Sequence, residues 1–310
     1  MRNLTILYRP GRPPGAAILC GVTTQLITLA PPVTKVTYET RAKEAALRAA
    51  LRGMGRVIVA YSGGVDSAYL LKVAHDEIGA NAQAIIGVSP SLMPEEHQEA
   101  AALALQLGIP LRTVETHEME DPNYAANPSN RCYFCKSELF NVLTRIASSE
   151  GFDAVCDGTN EDDLQEWRPG AKAGAEREIR SPLREARLGK DEIRALSKEL
   201  GLPTWDKPAM PCLSSRIPYG TPVTPEALRM IGKAEAHLRS IGLRQLRVRH
   251  FVEDEKPTAR LEVDPREMPL AFENYENIAE TLREVGYTKI LLDLEGYRRG
   301  KLNDVLMNHG

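Results

Sequence analysis

A short apolar stretch followed by a glycine-rich turn constrains the fold of this chain more than any other segment. Val57–Ala60 (VIVA) is typical of a strand in a parallel sheet that is covered on both faces. Ser62–Gly64 follows, and its two glycines let the backbone approach a ligand closely. Asp66 stands where a helix is expected to begin, with free N–H groups that bind anions. The stretch therefore predicts a site for nucleotide phosphates.

Strands and helices alternate along the next hundred residues. Gln83–Val88 reads as a second buried strand, Leu111–Glu115 and Ala154–Cys156 read as the third and fourth strands, and Glu178–Ser181 is a candidate for a short fifth. Pro94–Leu107 reads as a helix between the second and third strands. This alternation predicts an α/β fold with a doubly wound parallel sheet. Ligands of such sheets bind at the carboxyl ends of the strands, where the glycine-rich turn lies.

The predicted domain organisation has four parts. Residues 1–38 are expected to be a loosely ordered extension, and residues 39–205 form the nucleotide-binding α/β domain. Six prolines fall within Leu202–Pro225, so residues 206–225 are interpreted as a rigid functional loop. Residues 226–310 are expected to form a smaller α+β domain that serves substrate binding or oligomerisation.

Charge and cysteine content narrow the class of protein. The formal net charge is −3, with 39 Lys and Arg against 42 Asp and Glu, so no global field attracts nucleic acid or an anionic membrane. Five cysteines in 310 residues are too few for a secreted disulfide scaffold and favour a reduced, cytoplasmic setting. No apolar run is long enough to span a bilayer. We therefore expect neither a nucleic-acid nor a membrane partner.

The turn SGGVDS differs from the common phosphate-binding loops. It lacks the G-K-[ST] ending of a Walker A loop and the spacing of the dinucleotide fingerprint. It offers hydroxyls, N–H donors and one carboxylate, which suit a pyrophosphate with Mg²⁺. It resembles the PP-loop of the N-type ATP pyrophosphatases, which form adenylates and release pyrophosphate. This resemblance implies that ATP phosphates contact Ser62, Gly63, Gly64, Asp66 and Ser67, with the adenine near Val88 and Ser89.

Cys132 and Cys135 form a C-x-x-C motif at the mouth of a helix predicted over Lys136–Ser148. The helix terminus and the neighbouring Arg131 favour thiolates there. Three interpretations stay open on the residues alone: a redox dithiol, half of a structural zinc site, or an iron–sulfur cluster with Cys212 as the third ligand. Three protein ligands on a four-iron cluster leave one iron open for an exogenous ligand such as sulfide.

Cys212 belongs to the motif PCLSSRIPYG. The motif combines a thiol with hydroxyls and a guanidinium in one stiff loop. Ser215 and Arg216 are candidates for holding a substrate phosphate, because the guanidinium fork matches phosphate geometry. A cysteine in such electropositive surroundings is expected to be reactive.

Several motifs together resemble the LarE family, the ATP-dependent sulfur transferases of nickel-pincer nucleotide cofactor biosynthesis. They are SGGVDS, DGTNEDD with EWRPG, PCLSSRIPYG and LDLEGYRRG. The resemblance covers about Glu39 to Asn303. It implies that the enzyme adenylates a carboxylate of pyridinium-3,5-biscarboxylic acid mononucleotide, and that sulfur then displaces AMP to give a thiocarboxylate.

The LarE family uses two sulfur chemistries. In one, a lone cysteine at the position of Cys212 gives up its own sulfur. In the other, three cysteines hold a [4Fe–4S] cluster that carries an extra sulfide. Cys132 and Cys135 beside Cys212 match the cluster type, which we favour, with sulfide or a sulfur-donor protein as the source. Catalytic roles are accordingly expected for Asp66 and for Cys212.

The acidic loop DGTNEDD follows the fourth predicted strand. Gly158 in this loop and Arg168 after it are candidates for contacting ATP or its pyrophosphate, and Asp163 is a candidate Mg²⁺ ligand. The alternative is a solvated acidic loop, with Arg168 packing against it. The sequence does not decide between these interpretations.

Arg247 and Arg249 alternate with apolar residues and so share one face of a predicted strand. Arg260 on the partner strand is expected to join them, and this basic face is a candidate for the substrate phosphate. A solvated strand face is the alternative, and we expect a homo-oligomer. The competing function is [4Fe–4S]-dependent tRNA thiolation, which the absence of a basic surface and of an RNA-binding module disfavours.

Overall fold

The computed structural model describes residues 35–165 and 169–298, which fall into two compact units. One unit lies within Val33–Gly232 and the other within Lys233–Gly310. Of the predicted extension, residues 1–38, the first 34 lie outside the described residues. The division between the two units falls between Gly232 and Lys233. The domain boundaries predicted after residues 205 and 225 stay predictions.

The larger unit contains a four-stranded sheet and eight helices among the residues that the structure describes. The strands are β1 (Val57–Ala60), β2 (Ala82–Val88), β3 (Leu111–Glu115) and β4 (Ala154–Cys156). The helices are α1 (Tyr38–Arg52), α2 (Val65–Ile78), α3 (Pro94–Gln106), α4 (Pro122–Ala125), α5 (Arg131–Glu150), α6 (Pro169–Ala175), α7 (Pro182–Glu185) and α8 (Lys190–Glu199). The predicted strands are confirmed to within one residue.

The sheet is parallel throughout, in the order β3-β2-β1-β4. Val57 of β1 lies opposite Ala82 of β2 and Ala154 of β4. This topology confirms the predicted α/β fold. The segment after α6, which the sequence suggested as a fifth strand, contributes a single bridge between Arg180 and Cys156.

Helices cover both faces of the sheet, and β1 shows why. Val57 and Val59 belong to one apolar core, which includes residues of α1, α2 and α8. Ile58 belongs to a second core with Phe140 and Leu143 of α5. Successive side chains of a strand point to opposite faces, so an unbroken apolar run is what a sheet covered on both faces requires.

The sheet order places two loops side by side at the carboxyl edge. The chain goes from β1 towards β2 on one side and returns as β4 on the other, so the order reverses between β1 and β4. A Cβ added to Gly158, just after β4, would lie 2.9 Å from the backbone nitrogen of Ser67 in α2. The acidic loop and the glycine-rich turn are therefore in contact through a position that only glycine fits.

The smaller unit is built on a three-stranded sheet in the order β5-β6-β7. Its strands are β5 (Leu246–Glu253), β6 (Lys256–Val263) and β7 (Lys289–Leu292); β5 and β6 are antiparallel, and β7 is parallel to β6. The helices are α9 (Pro225–Ser240), which contains the division between the units, α10 (Met268–Glu273) and α11 (Tyr275–Val285). The sequence predicts that residues 265–285 are helical; the structure divides them into a 3₁₀ turn at Pro265–Glu267, α10 and α11, with a break at Asn274. None of the described helices combines the length and apolarity needed to cross a membrane.

The contact at Gly158 predicts a stability effect. Gly158→Ala is expected to lower the free energy of unfolding by about 1–3 kcal/mol, because the new methyl group meets backbone that cannot move aside freely. Urea unfolding followed by circular dichroism measures the difference.

Gly53→Ala is the matched control. Gly53 has a φ of −82°, and its added Cβ would meet nothing closer than 3.5 Å. The control is expected to leave stability unchanged or to raise it. Equal stability of the two variants would contradict the close approach at Gly158.

Candidate functional site

The glycine-rich turn connects β1 to α2 and leaves the amino end of that helix without a side-chain cap. Gly63 has a φ of +71°, and its added Cβ would lie 2.7 Å from the Cβ of Ala100 in α3. The Ser67 hydroxyl donates to the Gly64 carbonyl (3.2 Å) and accepts from the Ser62 backbone N–H (3.2 Å). The packing of Ala100 on Gly63 and the hydrogen bonds of Ser67 therefore fix the shape of the turn in front of the helix N–H groups. Free N–H groups at a helix start form an anion site.

Two carboxylates meet where β1 and β4 end. Burial, and next the charge of Asp163, raise the pKa of Asp66 to about 6. The side-chain amide of Asn160 donates to Asp66 (3.2 Å), and the Asn160 backbone N–H donates to Asp163 (3.1 Å). Lys190 of α8 lies 3.1 Å from Asp163. Adjacent buried carboxylates of this kind suit a divalent cation that also binds phosphate oxygens.

The other acids of this loop support the backbone. Asp157 accepts from the Thr159 hydroxyl (2.7 Å) and the Ser181 hydroxyl (2.8 Å). Asp162 accepts from the Lys190 backbone N–H at the start of α8 (2.6 Å). These bonds show that the acidic loop is ordered. Asp163 is the acid of this loop whose charge acts on Asp66.

The proposed adenine region lies at the end of β2. Val88 is half-buried, and its carbonyl accepts from the Thr116 backbone N–H (3.0 Å). The Ser89 hydroxyl donates to the buried carboxylate of Glu118, as does the Ser91 hydroxyl (3.0 Å). Contacts of Val88 and Ser89 with an adenine stay a prediction. Arg168 lies outside the described residues.

Cys132 and Cys135 lie in the first two turns of α5, which begins at Arg131, five residues earlier than the sequence predicted. Cys132 is exposed and Cys135 is half-buried beside an apolar cluster. Burial raises the pKa of the Cys135 thiol, and the charges of Glu118, Cys212 and Cys132 raise it further. The three thiols are therefore close enough to influence one another electrostatically.

The loop that carries Cys212 is fixed to the segment before α5. Tyr124 and Ser214, both buried, share a hydrogen bond between their hydroxyls (2.7 Å). The buried side-chain amide of Asn127 donates to the carbonyls of Pro218 (2.8 Å) and Thr221 (2.8 Å). These bonds hold the Cys212 loop against the segment before α5, and Leu213 of the loop shares an apolar cluster with Phe134 and Cys135 of α5 itself.

Arg216 is fully buried, which its motif did not predict. Its guanidinium donates to the carbonyls of Pro211 and of Cys212 (3.1 Å) and to the Ser215 hydroxyl (3.0 Å). These bonds indicate that Arg216 shapes the loop around Cys212. Phosphate binding by Ser215 and Arg216 stays a prediction.

The three arginines of the smaller unit lie together, as expected from the strand pattern. Arg249 and Arg260 are paired across β5 and β6, and Arg247 lies opposite Glu262. The buried Glu262 carboxylate binds Arg249 (2.8 Å) and Arg260 (3.3 Å). The predicted alternative of a solvated face is wrong for Arg247 and Arg249, which are both 5% exposed. Their role toward a substrate phosphate stays a prediction.

Four residues of this region were not predicted from the sequence. They are Asn127, Asn160, Lys190 and Lys207. Asn127 lies just before the C-x-x-C motif and Asn160 lies in the acidic loop DGTNEDD. Their closeness to these motifs is the sequence feature that could have identified them. Lys190 and Lys207 reach the site only through the tertiary fold; Lys207 lies in the predicted functional loop 206–225, but the sequence does not indicate what it contacts.

Comparison with known proteins finds relatives over most of the chain. The family model described as NAD synthase matches residues 40–132. The glutamine-hydrolysing GMP synthase of Brucella ovis is 28% identical over 265 residues, which are 74% of this chain and 49% of that synthase. An uncharacterised protein of Synechocystis sp. is 49% identical over 255 residues, covering 82% of this chain and 94% of that protein.

A named relative matches most of the chain. Pyridinium-3,5-bisthiocarboxylic acid mononucleotide synthase of Lactiplantibacillus plantarum, a LarE-family enzyme, is 37% identical to this chain over 265 residues. The alignment covers 85% of this chain and 95% of the synthase. The chain therefore belongs to the LarE family of PP-loop proteins and is an ATP-dependent sulfur transferase.

Proposed function

We propose that this enzyme adenylates a carboxylate of pyridinium-3,5-biscarboxylic acid mononucleotide and converts it to a thiocarboxylate for the nickel-pincer cofactor. The activity for which the Lactiplantibacillus plantarum relative is named supports this substrate. The observation that carries the proposal is that one compact unit holds both the PP-loop and the three cysteines. The first suits ATP activation and the second suits sulfur handling.

The first step makes the acyl-adenylate. A carboxylate oxygen of the substrate attacks the α-phosphorus of ATP, and pyrophosphate leaves with the electrons of the broken P–O bond. The N–H groups at the start of α2 and the hydroxyls of Ser62 and Ser67 are positioned to hold the phosphate oxygens. Asp66 and Asp163 would hold Mg²⁺, which neutralises phosphate charge when bound.

The second step replaces AMP by sulfur. A sulfur nucleophile attacks the acyl carbon, and AMP leaves with the electrons of the broken C–O bond. Burial of Cys135 and the ties that hold the Cys212 loop against α5 keep the sulfur chemistry in a confined region. Confinement protects an acyl-adenylate from hydrolysis.

We propose further that Cys132, Cys135 and Cys212 hold a [4Fe–4S] cluster. No three His, Cys, Asp or Glu side chains within residues 35–165 and 169–298 gather tightly enough for a single metal ion. Each thiolate of a four-iron cluster binds a different iron, so its ligands need not converge on one point. The charges of Cys212 and Cys132 both raise the pKa of Cys135, which supports a common neighbourhood for the three thiols. When bound, the cluster would supply sulfide from an iron without a protein ligand.

The smaller unit is proposed to receive the phosphate of the mononucleotide. Of Arg247, Arg249 and Arg260, Arg260 is the most exposed, with 34% of its side chain accessible, whereas Arg249 is enclosed with Glu262. Arg260 is thus the first choice for a phosphate contact, with Arg247 and Arg249 supporting it. A homo-oligomer, and sulfide or a donor protein as the sulfur source, also stay predictions.

Asp66→Asn is expected to abolish pyrophosphate release. Removing a preorganised charge from the phosphate site is expected to lower the rate by about 100-fold or more. The measurement is pyrophosphate formation with ATP, Mg²⁺ and the dicarboxylate mononucleotide. Asp76→Asn, at the other end of α2 and paired with Lys72, is the control and should retain the wild-type rate. Undiminished release by Asp66→Asn would show that the ATP site is assigned wrongly.

The cluster proposal predicts brown, anaerobically purified protein with about four irons per chain. Cys132→Ser, Cys135→Ser and Cys212→Ser should each lose most of the iron. Cys156→Ala should keep it, because Cys156 is buried in β4 and only its contact with Met54 (3.9 Å) is lost. Iron-free protein whose Cys212 loses its sulfur during turnover, seen by mass spectrometry, would support the sacrificial chemistry instead.

The same turnover mixture tests the substrate. Mass spectrometry is expected to show the thiocarboxylate of the mononucleotide together with AMP. Salt-sensitive binding of tRNA, with no thiocarboxylate formed, would favour the competing tRNA thiolation.

A further inference from the structure

The PP-loop of this chain contains no basic residue, although the phosphates it binds are highly charged. SGGVDS supplies hydroxyls and N–H groups, and its one ionisable side chain, Asp66, is an acid. Asp163 adds a second acid, which Lys190 partly neutralises at 3.1 Å. A Walker A loop meets the same demand with a lysine inside the loop. In this chain the cation has to come from elsewhere.

The structure brings Lys207 to the turn. Its ammonium lies 3.4 Å from the carbonyl oxygen of Gly63 and 2.9 Å from the carboxylate of Glu99. Gly63 is the residue whose φ of +71° shapes the turn, and Glu99 precedes Ala100, the residue of α3 that packs on Gly63. Lys207 therefore lies beside the bend of the PP-loop, and its side chain is only 20% exposed.

The backbone around Lys207 is held in place independently of this contact. Arg194 of α8 donates to the Trp205 carbonyl (2.7 Å) and to the Lys207 carbonyl (2.8 Å). The Lys207 backbone N–H donates to the Thr204 carbonyl (3.0 Å). A lysine on a fixed backbone can move its ammonium by several ångströms through side-chain rotation alone.

We infer that Lys207 contacts the β- and γ-phosphates of ATP and so supplies the lysine that the PP-loop lacks. The inference rests on the ATP use assigned above and deepens it. Without nucleotide, Glu99 pairs with the ammonium; its side chain is 63% exposed, so this pair is weak and easily exchanged for phosphate. An ammonium has three N–H donors, enough to bind phosphate oxygens while it stays near Gly63.

Binding measurements on the full chain test the inference. Isothermal titration calorimetry would compare α,β-methylene-ATP, pyrophosphate and AMP, with Mg²⁺ and without the second substrate. Lys207→Gln is expected to weaken binding of α,β-methylene-ATP and pyrophosphate by about 10- to 100-fold, the scale of one hydrogen bond to a charged group. Binding of AMP should be unchanged, because AMP lacks the phosphates concerned. Lys207→Arg should restore much of the loss.

Two further variants separate this role from a structural one. Lys198→Gln is the matched control, because Lys198 is an exposed lysine of α8 that lies 4.4 Å from the Trp205 ring and outside the phosphate region. It should bind all three ligands as wild type does. Glu99→Gln should bind α,β-methylene-ATP at least as tightly as wild type, since it removes the competing carboxylate.

The results that would contradict the role of Lys207 differ from the result that would contradict the ATP site. The inference is wrong if Lys207→Gln binds α,β-methylene-ATP as tightly as wild type does. It is also wrong if the variant's affinity for AMP falls by the same factor as its affinity for α,β-methylene-ATP. Weaker α,β-methylene-ATP binding by Glu99→Gln would also overturn it, by showing that the ion pair itself maintains the turn. Failure of the wild-type protein to bind α,β-methylene-ATP would instead contradict the ATP site as a whole.

Discussion

The site depends on the uncapped amino end of α2. The first N–H groups of a helix lack partners within the helix, and burying them without partners is costly. Here no side chain caps them, and the turn in front is restricted to glycine at Gly63 by a positive φ and by Ala100. Gly158 gives the neighbouring loop the same close approach to Ser67. The fold thus keeps open a space that a phosphate can satisfy.

The fold was predictable from the sequence because its central strands are short apolar runs. Val57–Ala60 was predicted with the bounds that the structure shows, since strands covered on both faces leave few polar positions. Leu111–Glu115 was predicted with the observed bounds too, although it lies at the edge of the sheet and is only partly buried. Residues 265–285 were predicted to be helical, but the sequence did not reveal that the backbone leaves the helix at Asn274.

The site was predictable where its residues share a motif and not where tertiary structure assembles it. Asp66 and Asp163 were identified from two loops that the parallel topology brings together. Lys207 lies in the predicted functional loop 206–225, but more than a hundred residues from the turn that it contacts, so the sequence did not indicate this contact. The motif of Arg216 suggested phosphate binding, which stays a prediction; the sequence did not indicate that its guanidinium is buried and donates to its own loop.

The loop between Lys207 and Cys212 links the two chemistries physically. Five peptide links separate these residues, so their Cα atoms lie within about 18 Å of each other whatever the loop conformation. Arg194 holds one end of the loop through the Lys207 carbonyl (2.8 Å), and the Ser91 carbonyl accepts from the Leu213 N–H (2.9 Å) at the other. Two prolines stiffen the segment between. Because both ends of this segment are anchored, the lysine proposed for the phosphates and the cysteine proposed for sulfur transfer are held on one stiff loop, so each can act by side-chain movement alone without displacing the other.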